Sequence, residues 1–212
     1  MAPNVPEFAP FMNPVGAKRA ESQWASLSYT SGVYGPVIQG KLVRLRPPKP
    51  EDAEVMMTWF EDLETTRFLG LRNPPSVEME KEWLEATAKD PNSVVWVVEV
   101  GSLAVGTTGI REIDWKNGFG TTGTLIGEKT QWKKGIGRET MQLRARYAFT
   151  QMPLRKLKSS YFDGNVASGR AQAAAGYREV GRHRADRFVD GRWVDEIITE
   201  VLREDWIKSN SV

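Results

Sequence analysis

Apolar residues in this chain follow two spacings, one of two residues and one of three to four, and the changes between them mark out its elements. Leu42, Val43 and Leu45, set among cations over residues 41–46, predict a first strand that Pro47, Pro48 and Pro50 stop. Glu51 and Asp52 then open a helix whose apolar face is Val55, Met56, Trp59 and Phe60. A second helix starts near Ser76, with Glu78 and Glu80 in its first turn and Trp83, Leu84 and Thr87 on one side. Residues 94–100 are β-branched and aromatic almost throughout, which predicts a largely buried strand. Gly101 and Ser102 turn the chain into a strand over residues 103–114, and Gly118 to Gly120 turn it into another that reaches 123–127. Further on, Ile136, Thr140, Leu143 and Tyr147 form a helical stripe widened by Met141, Ala145 and Ala148, as suits a crossover helix lying on a sheet.

Residues 156–161 read as the next strand and 166–175 as a helix of small residues ending at Gly176. Residues 177–189 and 193–202 read as a hairpin across Asp190 and Gly191. A meander followed by strand–helix crossovers is an α/β (α+β) architecture: one mixed, mostly antiparallel sheet with helices on both faces. It is expected to occupy residues 37–208, with 209–212 as a tail. Residues 1–36 hold five of the twelve prolines and no clean period. Phe8, Phe11, Trp24, Tyr29 and Tyr34 make this arm too aromatic for a solvated tail, so it is expected to pack on its own domain or on a partner.

The stretch Gln131 to Thr140 carries the first chemistry. A strand, a turn with Gly135 and Gly137, and a helix follow one another there, which brings free backbone N–H groups and the positive end of a helix dipole to one point. Such a point attracts phosphate, and Lys133, Lys134 and Arg138 surround it. The spacing is not that of the common nucleotide loops, since no Gly-Lys-Ser/Thr follows a glycine at the required distance. Further along come Asn165, Ser168, Gly176-Tyr177 and Gly181 in order. Asn165 is a favoured helix cap, with Ser168 three residues on.

Together the two segments resemble the GCN5-related N-acetyltransferases, most closely the branch of ribosomal-protein N-terminal acetyltransferases, from about Lys41 to Trp206. That branch reads Trp-Gly-Lys-Gly-Tyr-Ala at the turn, Asn-x-x-Ser at the next helix start and Gly-Phe/Tyr then Glu-Gly at the next strand. Residues 190–195 and 203–206 look like its final hairpin. The resemblance implies a sheet in which two parallel strands splay apart around acetyl-CoA, with no metal. Trp132, Lys133, Lys134, Gly135, Ile136, Gly137 and Arg138 would bind the pyrophosphate. Lys133 stands where the branch has glycine, and a side chain is tolerable there if its backbone keeps an ordinary angle. Leu125, Ile126 and Gly127 would pair with the pantetheine arm. Asn165 would hold that arm, and the Ser168 hydroxyl would stabilise the departing thiolate. Relatives outside the branch use a tyrosine one turn on, where this chain has Gln172.

The acceptor amine needs a proton acceptor, and Glu112, on the strand face of Ile110 toward the middle of the sheet, is the candidate, with Asp114 and Glu128 behind it. The branch often has Glu where this chain has Thr122. Tyr177 is expected in the core, and Asp195 in a structural hydrogen bond. The implied activity is acetyl-CoA-dependent N-acetylation of a primary amine, either a protein N-terminus or a small molecule. Residues 59–71 and 184–192, with Arg67 and Arg72, are expected to shape the acceptor site. The alternatives are another acyl donor (a longer acyl-CoA or an aminoacyl-tRNA) and a non-catalytic acyl-CoA-binding module.

Composition narrows the field. With 29 basic and 27 acidic residues the net charge is +2, against a dedicated nucleic-acid binder. Absence of cysteine excludes a thiol nucleophile, disulfides and cysteine-ligated metal. A single histidine, His183, excludes a histidine metal cluster and reads as a strand residue. No apolar run reaches membrane-spanning length and no charged-then-apolar leader opens the chain, so a soluble cytoplasmic protein is expected, with the aromatic arm and strand ends suiting a homodimer.

Overall fold

A computed structural model describes residues 34–70 and 73–210. Its elements in chain order are β1 (Ile38–Gln39), β2 (Arg44–Arg46), α1 (Asp52–Phe60), α2 (Leu63–Thr66), α3 (Val77–Lys89), β3 (Val94–Val100), β4 (Leu103–Asp114), β5 (Phe119–Ile126), α4 (Ile136–Gln151), β6 (Lys156–Phe162), α5 (Val166–Ala174), β7 (Arg178–Val189), β8 (Arg192–Leu202) and α6 (Arg203–Asn210). They build one sheet in the order β1-β2-β3-β4-β5-β6-β8-β7, in which β5 and β6 are the parallel pair. This is the mixed, mostly antiparallel architecture the pattern predicts.

The β-branched run of β3 is buried at six of seven positions, because helices cover both of its faces. On one face, Val94, Trp96 and Val98 join Ile136, Leu143, Ala145, Ala148 and Phe149 of α4 in the main core. Trp96 meets Tyr147 edge-on at 5.3 Å, and its indole N–H donates to the Pro36 carbonyl at 2.9 Å. Val95 and Val97 point the other way, toward the face that also buries Ala53, Met56, Met57 and Trp59 of α1 and Leu84 of α3. The buried stripe of α1 is rotated from the expected one: Val55 is exposed, and Ala53 and Met57 are inside. An Arg46 guanidinium bonded to both Asp52 and Glu99 fixes this rotation by tying the start of α1 to β2 and β3.

Three further departures have physical causes. The first strand is shorter than expected and preceded by β1, because the Glu139 carboxylate takes the N–H groups of Lys41, Leu42 and Val43 at 2.7, 2.6 and 2.9 Å and holds them in a turn. Residues 203–206 are not hairpin but the start of α6, with Glu204 and Asp205 in its first turn and the Trp206 ring tilted against Phe149, centroids 5.7 Å apart. Of the aromatic arm, Tyr34 is described, and its hydroxyl donates to the Leu84 carbonyl at 3.1 Å. Phe8, Phe11, Trp24 and Tyr29, like Arg72, lie outside the described residues.

Candidate active site

β5 and β6 pair over only three residues each, Phe119 with Lys156 through Thr121 with Lys158, although β5 runs on to Ile126 and β6 to Phe162. Beyond that point hydroxyls take over from the ladder. Thr122 Oγ1 donates to the Lys158 carbonyl at 2.9 Å, and Ser159 Oγ donates to the Thr122 carbonyl at 3.1 Å. The Tyr177 hydroxyl lies 3.0 Å from Thr122 Oγ1. Thr122, which stands where the resembled branch often has Glu, thus fastens the apex of a wedge between two parting strands. Tyr177 is in the core, 4% exposed.

Behind the apex sits a residue that hydropathy hides. Arg144 of α4 is 1% exposed and pairs with no carboxylate among the described residues. Its Nη1 donates to Thr108 Oγ1, Thr124 Oγ1 and the Gly123 carbonyl, each at 2.7 Å, and its Nη2 reaches the Tyr177 hydroxyl at 3.3 Å. Its Nε has no partner among the described residues.

Alternation along β5 decides which main-chain groups face the wedge. Gly127 donates its N–H to Val105 of β4 at 2.9 Å, and Leu125 lies opposite Thr107 in the same odd-numbered series. The even-numbered residues Thr122, Thr124 and Ile126 turn their main chain toward β6. Of the three expected pantetheine partners only Ile126 does so, and the Trp132 indole N–H already takes its carbonyl at 2.7 Å. Thr124 therefore turns its main chain into the opening of the wedge.

Trp132 follows a 3-10 turn, Lys129–Gln131, in extended conformation. Lys133 then takes φ 62° and Gly135 φ 83°, directly before α4. Left-handed residues set between ordinary ones make a concave row of N–H groups, and the N-terminus of a 16-residue helix adds its dipole. The condition set for a side chain at Lys133 is not met: its backbone is left-handed, which costs a non-glycine residue about 1 kcal/mol. Lys133, Lys134 and Arg138 are exposed and form no ion pair among the described residues. Lys129, by contrast, is bound to Asp62 and Glu64.

Across the wedge, Asn165 Oδ1 caps α5 by accepting from the Ser168 N–H at 3.1 Å. Gly169 lets this helix approach β6, since a Cβ there would stand 3.0 Å from the Tyr161 ring. Ser168 Oγ lies 3.2 Å from Gln172 Nε2. The cleft lined by Tyr161, Gly164, Val166, Arg170, Arg182 and Ile197 lies on the opposite flank of α5 from Ser168 and Gln172.

The expected proton acceptors fare differently. Glu112 does not share the face of Ile110: a bulge between Arg111 and Asp114 breaks the pleat, Glu112 takes φ 51°, and its side chain is exposed. It also lies beside the start of β5, at the closed end of the wedge. Hydrogen bonds from the Asn117 side chain and main chain hold the Asp114 carboxyl below its usual range, and the Thr130 hydroxyl and N–H do the same to Glu128. Sequence reasoning passed over Glu196, which is 8% exposed on the open arm of the wedge. Ser160 Oγ donates to its Oε1 at 2.6 Å and Arg187 to its Oε2 at 2.7 Å. Burial pushes its carboxyl up, but these two partners outweigh burial and leave it below the usual glutamate value. His183, Asp186 and Glu196 bring their ligand atoms within 4.8 Å of one another, and the Arg187 guanidinium, bonded to Glu196 and 3.2 Å from Asp186, supplies the positive charge there.

The rim of this arm joins the two expected acceptor segments. Arg67, after α2, pairs with Asp190 at the tip of the β7–β8 hairpin, at 2.5 Å. Asp190 and Gly191 have φ 49° and 77°, the two-residue mirror turn that Asp-Gly favours. Phe68 and Gly70 approach Gly164 and Phe162. Asp195 is structural as expected, accepting from the Ala185 N–H at 3.0 Å.

A sheet parted between two parallel strands, with a glycine turn and a cation-flanked helix start on one side and a helix-borne hydroxyl on the other, is the architecture of a coenzyme A-dependent acyltransferase. The model of the acetyltransferase (GNAT) domain matches residues 43–178, and the chain belongs to that family. It is an acetyl-CoA-dependent N-acetyltransferase acting on an amine. It is similar to the uncharacterized N-acetyltransferase p20 of Bacillus licheniformis, 23% identical over 167 residues that span 76% of this chain and 93% of the relative. The ribosomal protein uS5 alanine N-acetyltransferase of Escherichia coli is 29% identical over 84 residues, 40% of this chain and 43% of that protein. Spermidine N-acetyltransferase from Vibrio cholerae, solved in complex with CoA and spermine, shares the fold with a TM-score of 0.73 at 18% identity, over 79% of this chain and 99% of that one. Among the described residues no helix is long and apolar enough to cross a membrane.

Proposed function

We propose that the chain moves the acetyl group directly from acetyl-CoA to a primary amine within a ternary complex, with no acyl-enzyme. The observation that carries this is the partner of Ser168: Gln172 Nε2 is a donor and cannot take the serine proton, while His183 stands on β7 beside Glu196. A serine without a base is a poor nucleophile but a competent hydrogen-bond donor. The pyrophosphate is held by the N–H groups from Lys133 to Gly137, with Lys133, Lys134 and Arg138 around it. The pantetheine arm runs along Thr124 and Ile126 toward Asn165, and the thioester sulfur reaches Ser168. The amine nitrogen attacks the thioester carbon, the C–S bond breaks, and its electron pair leaves on sulfur, where the Ser168 O–H steadies it; the proton that nitrogen sheds on becoming an amide passes through water to sulfur, which leaves as the CoA thiol.

The amine enters past the Arg67–Asp190 pair. Glu196, kept ionised, accepts a hydrogen bond from the incoming ammonium, and the proton that the ammonium must lose before attack leaves to water. The acceptor ranked first is the N-terminal amine of a protein, on the local similarity to the uS5 alanine acetyltransferase, with polyamines as the competing class. Use of acetyl-CoA and a cysteine-free chain agree with a cytoplasmic location.

Free-thiol release from acetyl-CoA, measured across N-terminal peptides and polyamines, tests this reading. Turnover should appear with one class of amine, and Glu196→Gln should raise KM for that amine about tenfold at unchanged CoA affinity. No release with any amine, or an acetyl group found on Ser168 by mass spectrometry, rejects it.

A further inference from the structure

Gln172 is 3% exposed and spends its whole amide inside the protein. Nε2 donates to the Ser160 carbonyl at 3.0 Å and to Ser168 Oγ at 3.2 Å, and Oε1 accepts from Thr199 Oγ1 at 2.5 Å. The chemistry of the partners fixes which end of the amide is which. A backbone carbonyl only accepts, so the nitrogen must face Ser160, and the hydroxyl of Thr199 then serves the oxygen. The second N–H of the same nitrogen points at Ser168 Oγ. That oxygen is thereby an acceptor on its Gln172 side, and its own proton is directed elsewhere. The main-chain N–H of Ser168 is engaged by Asn165 Oδ1, so the residue is held on both counts.

We propose that Gln172 is a positioning residue that sets the Ser168 hydroxyl as a donor toward the thioester sulfur. This rests on the reading above that the sulfur reaches Ser168. Thr199 on β8 and Ser160 on β6 lock the amide, the amide orders the hydroxyl, and the hydroxyl offers its proton to charge developing on sulfur. No bond to serine forms: the electron pair of the broken C–S bond stays on sulfur, and the proton shared with it remains within hydrogen-bonding distance of Oγ. An ordered hydroxyl gains over a freely turning one because its dipole needs no rearrangement when the charge appears. A carboxylate at position 172 would invert the arrangement by accepting the serine proton.

The test uses the product complex, so that it does not depend on knowing the amine. CoA is bound to the full-length protein and its thiol is titrated by the ultraviolet absorbance of the thiolate, with affinity followed in parallel by calorimetry below the thiol pKa. In the wild type the bound thiol should ionise about one unit below free CoA. Ser168→Ala and Gln172→Met should each remove most of that difference while CoA affinity stays within about threefold, and the double variant should go no further than either single one. Thr199→Val, which leaves the serine contact but frees the amide to turn, should fall between, and guards against a Gln172 variant that fails to fold. A wild-type thiol titration in Gln172→Met beside a shifted one in Ser168→Ala overturns the proposal, as does an additive double variant. Loss of CoA binding in the wild type itself overturns the donor site along with it. Normal CoA binding without amine turnover overturns only the function proposed above.

Discussion

Three residues around the start of α4 differ in what their backbones demand. Gly135, at φ 83°, needs the freedom of glycine, and Lys133, at φ 62°, holds a similar angle without it. Gly137 lies inside the helix, where an added Cβ would meet Ile126 at an ordinary 3.7 Å. Its glycine is therefore not required by the fold, which leaves close approach of a ligand as the reason for it. Gly137→Ala should raise thermal stability, by up to about 1 kcal/mol through helix propensity, while weakening CoA binding about tenfold. Calorimetry giving unchanged affinity would move the pyrophosphate away from this turn.

Glu80 is a residue whose charge works against the fold. It is 7% exposed on α3, forms no ion pair among the described residues, and burial pushes its carboxyl up. A folded-state pKa above the unfolded one means that its contribution to stability is full below the unfolded pKa and is lost as pH rises through the folded value. At neutral pH the buried charge is thus a cost. Glu80→Gln should be more stable than wild type at pH 7, by about 1 kcal/mol, and the gain should vanish near about pH 4. Denaturant midpoints showing an equal gain at both pH values would remove ionisation as the cause.

At the level of elements, legibility in the sequence followed local chemistry. β3 is readable because β-branched residues fill it, α3 because Ser76 caps it by accepting from the Met79 N–H, and the β7–β8 hairpin because Asp190-Gly191 selects its turn. The glycine turn and the Asn165 cap were readable for the same reason. What escaped depends on distant partners. The break between β1 and β2 is imposed by Glu139, nearly a hundred residues on, and nothing near Lys41 announces it. The bulge that turns Glu112 outward interrupts an alternation that looks regular in the letters. Gln172 looks like one polar position in a helix of small residues, and only the folded sheet brings Ser160 and Thr199 to it. A glutamate as deep as Glu196 reads as a solvent-facing strand position until Arg187 and Ser160 are seen beside it.

For the molecule as a whole, Arg144 carries the widest reach. One guanidinium from α4 binds side chains or carbonyls on β4 and β5, and the tyrosine that leads into β7. A cation this deep, compensated by dipoles instead of a carboxylate, is costly to leave half-bonded, so its partners are released together or not at all. The consequence concerns cooperativity. The strand that would carry the pantetheine arm and the helix that would carry the pyrophosphate should open as a single unit, since neither can leave without stranding the charge. Native-state amide exchange should give α4 and β5 one common opening free energy, and Arg144→Met should split it into two, with β5 opening at the lower cost. Two separate values in the wild type would mean that the donor half of the wedge is a pair of neighbours and not one foldon.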